Sequence, residues 1–161
     1  MKRVLVSGAG GDVAQGVIVA LNKSSLDIEV FTICISLYSS WLYKVEKSYL
    51  SPPVISSKYI PFLIDFIVGH NVDAFFPCID FEILAISENK SQIESATGVT
   101  IMVDDFHKVK IANDKFLTYE FLKNNSFLVP STCIPVSNDV VSDFVEKVGF
   151  PIIAKKRVGR G

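Results

Sequence analysis

The feature that most constrains the fold is a regular alternation of strand-length apolar runs with helix-length segments. The runs at 3–7 and 28–35 are almost continuously apolar, which is typical of strands covered on both faces. Further strands are predicted at 48–50, 73–77 and 99–103, with helices beginning near residues 12, 60 and 81. Such alternation predicts the α/β class, with a doubly wound, Rossmann-like parallel sheet.

The composition of the chain changes near Asp104 and Asp105, and a second group of elements follows. Gly149 to Pro151 form a turn, and the chain closes on a basic, glycine-rich stretch. The predicted elements are helices at 111–123 and 138–148, an extended segment at 127–134, and a strand at 152–154.

Charge and hydropathy exclude two classes of partner. The formal net charge is -1 and the basic residues are scattered, so no basic face for a nucleic acid is expected. The longest apolar stretches fall well short of the ~20 residues that a membrane-spanning helix needs.

Cys34, Cys78 and Cys133 are widely spaced in apolar contexts, which indicates buried thiols in a reducing cytoplasm rather than a metal site.

The first predicted strand leads into a glycine turn containing Gly8, Gly10 and Gly11. A glycine turn before a helix can bind phosphate, because the backbone approaches the anion closely. The third glycine of the dinucleotide-binding pattern would fall at Val13. The carboxylate that would bind the adenine ribose at the end of the second strand is also missing, since 34–36 contain none. An NAD(P)-binding domain similar to short-chain dehydrogenases stays open, with a plain strand-to-helix turn as the other interpretation.

Two carboxylates, Asp80 and Glu82, follow the strand predicted at 73–77. Open α/β sheets bind ligands at the carboxyl ends of their strands, so both side chains are candidate substrate or loop contacts. The alternative is structural, with Asp80 capping the next helix and Glu82 in its first turn.

Three segments in fixed order give a more specific indication. They are 4–16 (VLVSGAGGDVAQG), 72–84 (VDAFFPCIDFEIL), and a set comprising 113–115 (NDK), 129–132 (VPST), 149–155 (GFPIIAK) and 159–161 (GRG). Together they resemble ATP-grasp ligases of the carbamoyl-phosphate synthase large-chain type. The resemblance implies a domain preceding the ATP-grasp at 1–107, then an incomplete α+β ATP-grasp N-terminal lobe at 108–161.

The same resemblance implies a nucleotide site in the second part. Lys115 and Lys155 would reach the nucleotide, although the family often has proline where this chain has Lys156, so either lysine of that pair can face ATP. The glycine-rich loop, with Gly159 and Gly161, would close over the triphosphate. Arg157 and Arg160 either add positive field there or are solvated loop charges.

The activity implied is ATP- and Mg²⁺-dependent phosphorylation of a small carboxylate, followed by attack of an amine or ammonia on the acyl phosphate. In this family the metal ligands and the catalytic arginine lie in the part of the fold that would follow residue 161. We therefore expect this chain alone to lack ligase turnover. A non-catalytic dimerisation module, forming a homodimer, is a further alternative.

Overall fold

The computed structural model describes residues 1–159 and divides the chain into two compact units, Met1–Phe106 and His107–Gly161. Its elements are β1 Lys2–Ser7, α1 Asp12–Lys23, β2 Ile28–Cys34, a 3-10 helix Ser40–Tyr43, β3 Lys47–Leu50, α2 Tyr59–His70, β4 Ala74–Phe76, α3 Asp80–Thr97, β5 Thr100–Ile101, α4 Phe106–Asn113, α5 Lys115–Asn124 and α6 Asn138–Val148.

The five strands of the first unit form one sheet in the order β3-β2-β1-β4-β5. Every pairing is parallel, and Val4 of the central strand lies opposite Val30 on one side and Ala74 on the other. The predicted α/β class with a parallel sheet is confirmed.

Each face of this sheet carries its own hydrophobic core because successive side chains of a strand point to opposite faces. Leu5 and Phe75 pack with residues of α2 and α3 on one face. Val4 and Val6 pack with Ala14 of α1 and with the 3-10 helix on the other. Helices therefore cover both faces, as the doubly wound prediction requires.

The ends of the helices follow from local chemistry. α1 begins at Asp12, whose carboxylate lies in the positively polarised first turn. α2 and α3 end at residues with left-handed backbone, Asn71 (φ 51°) and Gly98 (φ 74°), which bond their N–H groups back into the last turn. No helix within residues 1–159 is long and apolar enough to cross a membrane.

The second unit departs from the sequence predictions in two places. The single helix predicted at 111–123 was wrong, because Asp114 has extended backbone (φ −108°, ψ 112°) and separates α4 from α5. The strand predicted at 152–154 was also wrong, since no neighbouring strand among the described residues pairs with it. An isolated antiparallel bridge joins Asp114 to Val158 instead. The helix predicted at 138–148 is confirmed.

Candidate functional site

The carboxyl ends of β1 and β4 form the topological switch point of the sheet. From β1 the chain order runs outward to β2 and β3 on one side and to β4 and β5 on the other. In open α/β sheets the crevice at this point is where ligands bind. Here it is bordered by the glycine turn after β1 and by residues 77–79 after β4.

The glycine turn is closed by a hydrogen bond from the Gly11 N–H to the Gly8 carbonyl, 2.8 Å long. Gly8 has left-handed backbone (φ +70°), and a Cβ there would lie 2.6 Å from Cγ1 of Ile79. A Cβ on Gly10 would lie 2.6 Å from Oγ of Ser39. Close packing against Ile79 and Ser39 thus explains why both positions are glycine.

Asp80 and Glu82, both in the first turn of α3, have opposite environments. Asp80 is exposed and is the first helical residue, while the cap position belongs to Ile79, so the prediction that Asp80 caps the helix was wrong. The side chain of Glu82 is fully buried. Its Oε2 accepts a hydrogen bond from Oγ of Ser7 at 2.5 Å, and its Oε1 accepts one from the Tyr59 hydroxyl.

Burial dominates the electrostatics of this buried group. Desolvation raises the pKa of the Glu82 carboxyl, while the donors that it accepts from, Ser7 and Tyr59 first, oppose the rise. Burial and the charge of Glu82 raise the pKa of Tyr59 as well. The same two causes raise the pKa of the Cys78 thiol to about 11. The three cysteines are free.

Sequence reasoning missed Ser7 and Tyr59 as partners of Glu82. The available signal was weak: Ser7 directly follows the apolar run 4–6 of β1, and Tyr59 begins the mostly apolar helix α2. Its meaning was hidden because the three residues are far apart in the chain, and only the pairing of β1 with β4 brings Ser7 to the end of β4.

In the second unit, the structure brings Lys115 and Gly159 together. The Lys115 ammonium donates to the Gly159 carbonyl at 2.7 Å, across 44 positions of sequence. Lys155 and Lys156 are exposed, and no hydrogen bond or ion pair holds either ammonium within the described chain. Gly161, and Arg160 beside it, lie outside the described residues.

Arg157 forms an ion pair that the sequence did not predict. Its guanidinium Nε donates to both carboxylate oxygens of Asp114, at 2.8 and 2.6 Å. This donation is the main cause that holds the pKa of Asp114 below its usual value. The pair was invisible in sequence because it joins residues 43 positions apart.

In the second unit the Lys115 ammonium already donates to a carbonyl, that of Gly159, whose backbone is left-handed (φ +101°). A phosphate oxygen would have to replace that carbonyl as the acceptor of the ammonium. No group of three or more His, Cys, Asp or Glu side chains that could hold a metal occurs in residues 1–159.

Comparison with known families assigns the first unit. The model of the PylC-like N-terminal domain matches residues 4–102, more than half of the chain. The chain belongs to the PylC-like N-terminal domain family. This PylC-like domain comprises the five strands and the glycine turn described above. A stretch of 62 residues is 39% identical to the protein MG011 of Mycoplasma genitalium, itself described as uncharacterized, and covers 38% of this chain and 19% of that protein.

Solved structures share the fold of the PylC-like chain. N5-carboxyaminoimidazole synthetase of Staphylococcus aureus, solved with ADP, aligns with a TM-score of 0.69 and 17% identity over 99% of this chain and 39% of that chain. The biotin carboxylase domain of Hydrogenobacter thermophilus 2-oxoglutarate carboxylase aligns with a TM-score of 0.65 and 20% identity over 99% and 36%. The fold is that of the N-terminal part of ATP-grasp enzymes, and the chain spans less than two-fifths of either protein.

Proposed function

We propose that this chain is the N-terminal part of an ATP-dependent carboxylate–amine ligase that acts through an acyl phosphate, similar to the carbamoyl-phosphate synthase large chain. We place the domain preceding the ATP-grasp at 1–107 and an incomplete ATP-grasp lobe at 108–161. Membership of the PylC-like family supports this assignment. So does the fold shared with a synthetase solved with ADP and with a carboxylase domain solved with MgADP.

The nucleotide would be held by Lys115, by Lys155 or Lys156, and by the glycine-rich loop at Gly159 and Gly161. The observation behind this proposal is that the Lys115 ammonium lies beside Gly159, 2.7 Å from its carbonyl, which a phosphate oxygen would replace as the acceptor. A lysine ammonium acts on phosphate as a mobile point charge, and glycine lets the backbone approach the anion. Mg²⁺, when bound with ATP in the whole protein, would offset phosphate charge; no residue of this chain is assigned to hold it.

Calorimetric titration with ATP tests this site. Replacing Lys115 with Met removes the ammonium and keeps most of the aliphatic stem, so we expect Kd for ATP to rise about tenfold or more. Lys123→Met, on the same helix, is the matched control because its ammonium lies over the Tyr119 ring, 5.6 Å from the centroid. Equal affinity of both variants for ATP would remove Lys115 from the proposed site.

We further propose that the chain alone does not turn over ATP. The family resemblance implies that metal binding and the stabilising arginine belong to later parts of the fold, and phosphoryl transfer depends on such clamping. The test is ADP release from ATP with a panel of amino acids as acceptors. Any acceptor-dependent release above the buffer rate would disprove this statement.

At the switch point, we assign a contact with the small carboxylate or amine substrate to Asp80. Its carboxylate is exposed at the carboxyl edge of the sheet, whereas that of Glu82 is buried. The glycine turn (Gly8, Gly10 and Gly11) supplies only its backbone there.

We also propose a homodimer, supported by the dimer formed by the Hydrogenobacter thermophilus carboxylase domain. Sedimentation equilibrium tests it, and a mass of one chain at micromolar concentration would exclude the homodimer.

A further inference from the structure

Asp114, in the break between α4 and α5, uses one carboxylate for two purposes. Its Oδ1 accepts hydrogen bonds from the N–H groups of Phe116 and Leu117, at 2.9 and 3.1 Å, which caps α5. The same carboxylate accepts both short contacts from Nε of Arg157. The Asp114 side chain is 13% exposed and that of Arg157 is 50% exposed, so the acid is well shielded while the base lies at the surface.

Backbone contacts reinforce this pair. The Lys115 N–H donates to the Arg157 carbonyl at 3.0 Å, and Asp114 pairs with Val158 as an antiparallel bridge. The guanidinium carbon of Arg157 lies 5.6 Å from the centroid of the Phe116 ring. Arg157 is thus fixed to the start of α5 by its charge, its carbonyl and its planar face.

The consequence reaches Gly159, two residues beyond Arg157. Fixing Arg157 on α5 brings the Gly159 carbonyl within 2.7 Å of the Lys115 ammonium. The Lys115 ammonium and Gly159 are then next to each other before any nucleotide binds. Preorganisation of this kind lowers the ordering cost that binding must otherwise meet.

We propose that Asp114 is a positioning residue for the nucleotide, which through its ion pair with Arg157 holds Gly159 beside Lys115. In this arrangement Arg157 neutralises Asp114 and does not contact phosphate itself. The inference rests on the proposed nucleotide site, and it adds the device that assembles that site.

The test is a double-mutant cycle in the 161-residue chain, with Kd for ATP as the main readout. Asp114→Asn keeps a good capping residue and removes the charge, so α5 retains its start. Asp114→Asn and Arg157→Gln should each raise Kd about threefold to tenfold, and the double variant should be no worse than either single variant. Asp143→Asn, an exposed acid on α6, should leave Kd unchanged.

Two results would overturn the proposal. One is an Arg157→Gln effect that remains when Asp114 is already Asn, because a direct phosphate contact would behave that way. The other is an unchanged Kd in Asp114→Asn at wild-type thermal stability.

Amide hydrogen exchange of Lys115 without nucleotide separates this inference from the proposed function. The Lys115 N–H lies in the first turn of α5, has no intrahelical acceptor, and donates its hydrogen bond to the Arg157 carbonyl. It should exchange faster in Asp114→Asn and in Arg157→Gln than in the wild type. If the wild type binds no ATP, the proposed nucleotide site is wrong. The exchange rate of the Lys115 amide still tests whether the Asp114–Arg157 pair positions Arg157 on α5. Unchanged exchange in both variants would disprove the pair's positioning role.

Discussion

Oγ of Ser7 lies 2.5 Å from Oε2 of Glu82, so the last residue of the central strand is bonded to the first turn of α3. The Cys78 N–H donates to the same Ser7 oxygen at 3.2 Å, and the Tyr59 hydroxyl donates to the other oxygen of Glu82. The buried Glu82 carboxyl group therefore links the end of β1, the start of α3 and the start of α2. The side-chain donors to this carboxyl are two hydroxyls, and hydrogen bonds from the backbone of Cys78 and Ile79 also favour its charged form.

The first prediction concerns pH. The pKa of Glu82 is raised in the folded chain, so the folded state holds this proton more tightly than the unfolded chain does. The stabilisation that comes from binding this proton is complete below the ordinary glutamate pKa of about 4.5. It is lost as pH rises through the higher pKa that Glu82 has in the folded chain. Urea unfolding between pH 4 and 8 should show wild type losing stability relative to Glu82→Gln as pH rises.

Glu88→Gln is the matched control for that measurement, because Glu88 is an exposed glutamate on the same helix. Its difference from wild type should stay flat over the same range. The free energy of unfolding of wild type minus that of Glu82→Gln should fall as pH rises. A difference that stays constant or increases with pH would contradict the raised pKa of Glu82.

The second prediction concerns Tyr59, whose side chain is 1% exposed. Removing its hydroxyl in Tyr59→Phe leaves Oε1 of Glu82 without this donor, at a cost of about 1–3 kcal/mol in the free energy of unfolding. Tyr38→Phe should change it by less than about 0.5 kcal/mol, since Tyr38 is 99% exposed. Equal effects of the two changes in denaturant unfolding would show that the Tyr59 hydroxyl adds no stability.

The third prediction separates backbone strain from steric overlap. Gly8 and Gly98 have nearly the same left-handed backbone, with φ of +70° and +74°. Gly98→Ala meets open space and should cost about 1–2 kcal/mol for the conformation alone. Gly8→Ala also meets Ile79 and should cost about 1–3 kcal/mol more, measured by thermal and urea unfolding. Gly8→Ala being the milder change would refute the packing explanation for the turn.

The fourth prediction chooses between Lys155 and Lys156. In the ATP-grasp ligases that this chain resembles, the lysine that reaches the nucleotide ends the segment after the proline, and that position corresponds to Lys155. Lys155→Met should therefore raise Kd for ATP about tenfold, while Lys156→Met changes it less than about twofold. The reverse ranking by calorimetry would give the role to Lys156.

Much of the first unit was predictable because its signal is local. Strands buried on both faces need continuous apolar runs, and the run at 28–35 predicted β2 to within one residue at its end. The family resemblance also led to a fold that the comparisons confirm.

Other features depended on contacts that a sequence does not display. The break at Asp114 was missed because the local pattern favours continuous helix. Two sets of hydrogen bonds compensate for the break: the Asp114 carboxylate caps α5, and Arg157, 43 positions away from Asp114, bonds to that carboxylate and to the Lys115 N–H. Glu82 was read by its position at a helix start, and its burial depends on Ser7 and Tyr59 from elsewhere in the chain. The nucleotide contacts of Lys115 and Lys155 stay predictions.

The strand order has a consequence for synthesis on the ribosome. The central strand is translated first, yet one of its two neighbours arrives only with Ala74, 70 positions after its partner Val4. At about 5–20 residues per second, the nascent chain keeps that edge unpaired for roughly 4–14 seconds. During this interval the apolar edge of the strand is open to chaperones or to other nascent chains, so translation speed between β2 and β4 should govern the yield of correctly folded protein.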